Sequence, residues 1–123
     1  MTIMQAIDTI DELKPNGYTM AEKIRWLSKL DGAIKREIID THEGGDKISF
    51  EGYTTATPTE TELLVEAPYD ELYLHWLESR IDYYNGEYGR YNNTVSTYNA
   101  AYSAFERFYN RAHKPLGQHF KYF

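Results

Sequence analysis

The strongest structural signal in the chain lies in residues 74–112, LHWLESRIDYYNGEYGRYNNTVSTYNAAYSAFERFYNRA. Apolar and aromatic side chains recur here every three and then four positions: Leu74, Leu77, Ile81, Tyr84, Tyr88, Tyr91, Val95, Tyr98, Tyr102, Phe105, Tyr109 and Ala112. This spacing keeps one stripe on a helical surface, which is typical of helices that pack against helices. Because tyrosine joins an apolar ring to a hydroxyl group that needs a polar partner, the stripe suits contacts with other proteins.

Two glycines, Gly86 and Gly89, interrupt this region. A glycine weakens a helix by about 1 kcal/mol, so we expect a break or tight bend here. The pattern then predicts a third helix over about 68–84 and a fourth over about 90–113, folded back on the third. Since the stripe keeps its phase through both glycines, a single kinked helix is the alternative.

Upstream, a capping box formed by Thr2 and Gln5 predicts the start of a first helix, which Pro15 ends. Its apolar face comprises Ile3, Ile7, Ile10 and Leu13.

A second box, Thr19 with Glu22, opens a longer helix that we expect to run from about Thr19 to His42. The pair Gly44-Gly45 ends it, as glycines commonly do. Its apolar face comprises Met20, Ile24, Leu27, Leu30, Ile34 and Ile38, with Trp26 to one side.

Between these helices and the third, two short runs rich in strand-forming residues occur at 48–50 and 63–65. They predict a two-stranded β-hairpin over about 46–66, which would need the helices or a neighbouring subunit to stay ordered. The predicted fold class is therefore mainly α. It is a small bundle of about four helices with a short β-hairpin between helices 2 and 3, in a single domain over 1–123, followed by a tail over 115–123.

Composition limits the class of protein. The 123 residues suffice for one modest core, and cysteine is absent, which excludes disulfides and thiolate metal sites. No run approaches the roughly 18 apolar residues of a membrane span, so we expect no membrane partner. The first residues, MTIMQAIDTIDELKP, lack the features of a signal peptide, and we expect a cytosolic protein.

The net charge of −6 is unevenly distributed. Residues 43–87 carry eleven acidic residues against Lys47 and Arg80, whereas after Gly89 only Glu106 opposes five basic residues. These charges form either solvated faces or an acidic surface that meets the basic end of another copy or a partner. Tight binding of free nucleic acid is disfavoured because it requires a concentrated basic surface.

The pattern predicts no catalytic, cofactor-binding or metal-binding residues and no cofactor. The four histidines lie in separate segments without the spacing of a helical metal site. Glu78 and Asp82 are neighbours on the third helix, but such surface carboxylates are common. We therefore expect a protein that is not an enzyme.

Four residues are candidates for contacts between subunits. Tyr73, Tyr83 and Phe108 fall beside the aromatic stripe, and Arg80 could act as an interface anchor or form a salt bridge. The stripe could instead stack nucleobases, so a small nucleic-acid-binding helical module is an alternative function.

Several motifs together resemble the head–tail connector (adaptor) proteins of tailed phages and prophages of Gram-positive bacteria. In the third and fourth helices they are PYDELY (68–73), RID (80–82), NGE (85–87), YN (91–92) and YNAAY (98–102). WLSKLDG (26–32), THEGG (41–45) and the ending from Tyr109 to Pro115 fit the same family.

The resemblance implies a structural virion protein that forms a ring, typically of twelve copies, below the portal and lines the DNA channel. Its partners would be other copies of itself, the portal protein and a downstream connector or tail component, while DNA passes non-specifically. It would lie at the head–tail junction, after assembly in the host cytoplasm. Another phage assembly part, such as a tail-completion protein or a chaperone, is an alternative. The candidate portal-binding tail comprises Leu116, Gly117, Gln118, His119, Phe120, Lys121, Tyr122 and Phe123.

Overall fold

The computed structural model describes residues 1–117. Four α-helices account for most of the 65% helical content: α1 Ile3–Leu13, α2 Met20–Glu37, α3 Leu72–Tyr84 and α4 Tyr88–Ala112. Short 3₁₀ turns cover Ile39–Thr41, Gly45–Lys47 and Tyr69–Glu71. The prediction of a mainly helical fold with four helices is confirmed.

The predicted β-hairpin over 46–66 is wrong. Within residues 1–117 the structure contains no β-strand, only two isolated bridges, Thr2 with Glu62 and His42 with Pro115. Residues 48–68 form a long loop that lies along the helices.

The loop departs from a hairpin because backbone amides in both of its halves bind side chains of α2, and the two strand-like runs do not pair with each other. The amides of Tyr53 and Leu64, one in each half of the loop, donate to side chains of α2, Ser28 Oγ at 2.9 Å and Asp31 Oδ2 at 3.1 Å. Once these donors are satisfied by α2, no strand pairing is needed to hold the loop.

The helix starts follow the local sequence signals. Thr2 and Gln5 form the predicted reciprocal capping box, and Thr19 Oγ accepts from the Glu22 amide at 3.1 Å. The second helix ends at Glu37, earlier than predicted. Near its end, the Ile38 carbonyl accepts from the Thr41 hydroxyl at 2.7 Å and lies 2.6 Å from His42 Nδ1, where a continuing α-helix would use the backbone amide of His42.

Ion pairs and hydrogen bonds show how the first three helices align. Lys23 on α2 pairs with Asp11 near the end of α1 at 2.6 Å, so these helices run antiparallel. The terminal amine of Met1 lies 3.5 Å from Asp70 before α3, and Lys14 lies 2.6 Å from Asp82 near its end. Helices α1 and α3 are therefore parallel.

Helices α3 and α4 form an antiparallel hairpin, as predicted for a break at the glycines. The turn between them contains Gly86 with φ of +75°, a left-handed conformation that favours glycine. Pairs of aromatic rings show which residues lie opposite each other along the hairpin. The ring centroids are 4.8 Å apart for Tyr69 and Phe108, 5.0 Å for Trp76 and Tyr98, and 5.3 Å for Tyr83 and Tyr91.

This arrangement gives the bundle two distinct ends. We call the tip the end where α1 and α3 finish and where α2 and α4 begin. The base is the opposite end, where α1 and α3 begin and α2 and α4 finish, and it includes the loop of residues 43–71. Between the ends, all four helices contribute to one core, which includes Ile7, Leu27, Ile34, Leu77, Ile81 and Phe105.

Candidate interaction surfaces

The tip exposes an unusual amount of apolar surface. Seven large hydrophobic side chains of residues 1–117 are exposed, and five of them lie at the tip: Leu13 (69%), Met20 (42%), Tyr83 (42%), Tyr84 (56%) and Tyr88 (62%). We call these five residues the tip surface. Leu13 and Met20, predicted on the apolar faces of α1 and α2, lie beyond the core because their helices end and begin there.

The tyrosines of the tip surface are held in place by other rings. Tyr84 stacks on the buried ring of Trp26, with centroids 5.6 Å apart and planes at 4°. The centroid of the Tyr83 ring lies 5.2 Å from that of Tyr84, 6.1 Å from that of Tyr88 and 5.3 Å from that of Tyr91. Such positioned aromatic side chains lose little entropy on binding, as is typical of strong contact residues.

Arg80, a predicted interface anchor, lies half-buried under this surface. Its guanidinium carbon is 4.4 Å from the Trp76 ring centroid and about 5.5 Å from those of Tyr83 and Tyr91. It donates a long hydrogen bond of 3.4 Å to the Tyr91 hydroxyl, while its Nε is buried without a partner. Within residues 1–117 it forms no salt bridge. The rings hold the cation by cation–π attraction instead.

The tip is fastened to the rest of the bundle through Asp82, which is fully buried. Lys14 pairs with one of its carboxylate oxygens at 2.6 Å, and the Thr94 hydroxyl donates to the other at 3.1 Å. Nearby, the hydroxyl of Tyr18 in the α1–α2 connection donates to the side chain of Asn85 in the α3–α4 turn at 2.6 Å. These contacts join α1, α3, α4 and the α1–α2 connection at one point.

Tyr73 is not an interface residue, because its side chain is completely buried. Its hydroxyl donates to Asp31 at 2.6 Å and accepts from the Val65 amide at 2.8 Å. The candidate was wrong because Tyr73 lies on the side of α3 that faces α2 and the loop of residues 48–68, rather than solvent.

Asp31 is the centre of this buried network. It accepts hydrogen bonds from the hydroxyls of Tyr53 and Tyr73 and from the Leu64 amide. Burial raises the pKa of Asp31, although these three bonds favour its charged form, and burial beside this carboxyl also raises the pKa of both tyrosines. The network ties the loop to α2 and α3. An acidic residue between Leu27 and Ile34 on an apolar helix face was the signal that could have revealed it.

At the base, an apolar groove of about 230 Å³ opens between the loop and α4. Ile48, Leu64 and Phe108 contribute apolar walls, and Glu66 and His113 add polar groups. Phe108, another predicted interface residue, is half-buried in this wall and stacks on Tyr69. Its role in subunit contacts stays a prediction, as does that of the exposed Tyr83.

The two histidines at the base, His42 and His113, pack against neighbouring side chains and backbone. His42 is buried, with its ring nitrogens 2.6 Å from the Ile38 carbonyl and 2.8 Å from the Asn110 side chain. Its ring packs edge-on against Tyr109, on which His113 also stacks at 3.9 Å. Within residues 1–117 no three histidine, aspartate or glutamate side chains form a metal-binding group.

The first residues of the predicted C-terminal tail are bound at the base of the bundle. The Glu43 amide donates to the Lys114 carbonyl at 2.7 Å, and the Leu116 amide donates to the Thr41 carbonyl at 2.9 Å. Leu116 is 53% exposed, and Gly117 is the last described residue. The remaining predicted tail residues, Gln118, His119, Phe120, Lys121, Tyr122 and Phe123, lie outside the described part of the chain.

The base is also where acidic residues concentrate. Residues 43–71 carry eight acidic residues and a single basic one, Lys47. Six of these acids are exposed and form no ion pair within the described residues: Glu43, Asp46, Glu51, Glu60, Glu66 and Glu71.

No protein-family model matches the chain, and comparisons with curated proteins and with solved structures found no significant match. Among the described residues, no helix has the length and apolar character needed to cross a bilayer.

Proposed function

We propose that this chain is a structural subunit of the head–tail junction of a tailed phage or prophage. It would assemble into a ring below the portal, line the DNA channel and act through protein contacts, without catalysis. The motif resemblance supplies the family, and the surfaces described above supply physical support.

The observation that carries the proposal is the separation of two distinct features at opposite ends. The tip surface presents exposed aromatic side chains, whereas Leu116, near the start of the predicted tail, is bound to Thr41 at the base. A connector must contact both its own copies and the portal, so it needs more than one contact surface. In this proposal the segment beginning at Leu116 binds the portal.

The acidic residues support the proposed channel. Glu60, Glu66 and neighbouring acids project from the base, and acidic groups on a channel wall would repel phosphates. DNA could then slide past without being held. Reversing these charges in the virion should slow genome ejection, and unchanged ejection would count against a channel role for this loop.

The central test removes residues 118–123 by ending the chain at Gly117. Because Leu116 still binds Thr41, we expect unchanged helical circular dichroism but loss of binding to the portal protein of the same phage. Binding is measured by co-sedimentation and by negative-stain microscopy of the mixture. A matched control, Asn93→Ala on the exposed face of α4, should bind normally.

The outcomes separate the proposed function from the alternatives. Normal portal binding by the truncated chain would exclude the tail as the portal contact. Failure of the full chain to bind the portal, with a monomer that shifts DNA at physiological salt, would instead favour a nucleic-acid-binding module. Binding to unassembled tail proteins would favour a tail-completion protein or chaperone.

A further inference from the structure

We propose that residues 118–123, the C-terminal segment, bind in the base groove of their own chain until the portal displaces them. The groove is the apolar cleft of about 230 Å³ between the loop of residues 48–68 and α4. The inference rests on the proposed function, in which the same segment binds the portal, and it adds the regulation of that contact. In the free subunit the groove holds the segment, so that the portal must compete for it.

The last described residues direct the chain towards the groove. Two backbone hydrogen bonds hold residues 114–116 antiparallel to residues 41–43. Each step towards the C-terminus therefore leads back along the end of α2 towards Ile39, which lines the groove. Gly117 has φ of +57°, so the backbone bends at this residue and does not continue as an extended strand.

The C-terminal segment is also long enough to cover the groove. Because consecutive Cα atoms are about 3.8 Å apart, Gly117 lies within about 15 Å of His113, a residue of the groove wall. Residues 118–123 span about 20 Å when extended. The short connection gives the segment an effective concentration on the order of millimolar at its own groove, which disfavours the same segment of a second copy.

The side chains of the segment suit an apolar groove. Half of its residues are aromatic, namely Phe120, Tyr122 and Phe123. Leu64 and Phe108 contribute to the walls of the groove. A cavity of about 150 Å³ accommodates benzene, so a groove of about 230 Å³ has room for one of these rings. A ring placed there removes apolar surface of the segment and of the groove from water at the same time.

Two polar groups at the groove have no partner within residues 1–117. The Nδ1 atom of His113 is buried without a hydrogen bond, and the exposed Glu66 forms no ion pair. The C-terminal segment carries a partner for each, the side-chain amide of Gln118 and the cation of Lys121. Once the segment has moved to the portal, Glu66 is again free to face the proposed channel.

Because the chain lacks cysteine, disulfide cross-linking of the full chain tests this contact directly. The test variant carries Ile48→Cys, at the exposed rim of the groove, together with His119→Cys in the segment. The control variant carries Arg111→Cys with His119→Cys, since Arg111 is exposed on the last turn of α4 and lies outside the groove lining. Under mild oxidation we expect the test variant to form an intramolecular disulfide at least tenfold faster than the control, at a rate independent of protein concentration.

Further substitutions in the test variant show whether the aromatic rings hold the segment. Phe120→Ala with Tyr122→Ala should slow formation of the disulfide at least tenfold. Asn93→Ala, on the exposed face of α4 and away from the groove, should leave the rate unchanged. Circular dichroism of each variant checks that the helices are intact.

Portal binding tests the regulatory part of the inference. Only the released fraction of the segment can bind the portal, so a segment fixed in the groove lowers the apparent affinity. The oxidised test variant should therefore bind the portal at least tenfold more weakly than the same protein after reduction. The unaltered chain, given the same treatments, should bind equally in both states.

Three results would overturn the inference. Cross-linking of the test variant no faster than that of the control would show that the groove does not hold the segment. A rate that rises with protein concentration would assign the groove to the segment of another copy. Equal portal binding by the oxidised and reduced test variant would show that the groove does not restrain the segment.

Failure of the proposed function gives a different result. If the reduced chain does not bind the portal at all, the proposed function and the regulatory role are both refuted. Rapid cross-linking of the isolated chain would still establish the contact in the groove, because that measurement does not involve the portal.

Discussion

The two halves of α4 share one sequence pattern but differ in burial. In the C-terminal half, Tyr98, Phe105 and Tyr109 are buried in the core. Between residues 88 and 97 no side chain is buried, although Tyr88, Tyr91 and Val95 continue the same spacing. The C-terminal half contacts α3, the Tyr69 turn and Glu37 at the end of α2, while the N-terminal half contacts α3 near its end.

The difference shows that the spacing of apolar residues determines which face of the helix they share. The number of neighbouring elements then determines whether that face is buried or exposed. Where three elements surround α4, its tyrosines and phenylalanines become core. Where only the end of α3 adjoins it, the same residue type becomes exposed surface that is available for another protein.

Replacing one ring in each half should give the largest contrast. Phe105→Ala should lower the free energy of unfolding by about 3–5 kcal/mol because it leaves a cavity in the core. Tyr88→Ala, 62% exposed at the start of the helix, should change it by no more than about 0.5 kcal/mol. Urea denaturation followed by circular dichroism measures both. Equal losses would mean that Tyr88 is part of the fold.

Removing a single hydroxyl group from a buried and from an exposed tyrosine should give a smaller difference in the free energy of unfolding. Tyr73→Phe leaves a buried Asp31 oxygen without its donor, and we expect a loss of about 1–3 kcal/mol. Tyr102→Phe is the matched control on α4, since its hydroxyl donates to Glu37 at 3.0 Å in an exposed position. The control should lose less than about 1 kcal/mol. A larger loss for Tyr102→Phe would place the critical polar contact on α4 instead.

The smallest expected effect is a pH dependence. Burial raises the pKa of Asp31 above the ordinary value of 3.8, so its protonated form is favoured in the folded chain. Its contribution to stability is therefore fully present below pH 3.8 and is lost as the pH rises through the raised value. Asp31→Asn cannot titrate, so the destabilisation caused by this substitution should be greater at pH 4 than at pH 7.

Urea titrations of both proteins at the two pH values measure this difference. A difference for Asp31→Asn that is independent of pH, or that grows as the pH rises, would contradict the raised pKa.

Local signals in the sequence predicted the helices well. Thr2 and Gln5 form the expected capping box, and the glycines after Tyr84 mark the expected turn. The loop was mispredicted because Tyr53, which follows the first strand-like run, and Leu64, in the second run, bind side chains of α2 that are more than ten residues away in sequence. A short apolar run does not reveal from its own sequence which distant residues it will bind.

The candidate surfaces were predicted less completely. Tyr83 is exposed, and Arg80 lies beneath the tip surface, but Tyr73 is buried. These residues share similar positions beside the stripe, so spacing could not distinguish them. The Asp31 network and the base groove join residues from separate elements, and only the packing of those elements creates them.

The sequence by itself determined that four helices form and where α1 and α2 begin, because capping groups, glycines and apolar spacing act over a few neighbouring residues. It also determined that the chain carries many tyrosines and an acidic middle segment. Only the tertiary structure decided which tyrosines are core and which form the tip, and which end of the bundle is acidic. Burial depends on how many elements meet at a residue, and that is settled by contacts between distant parts of the chain.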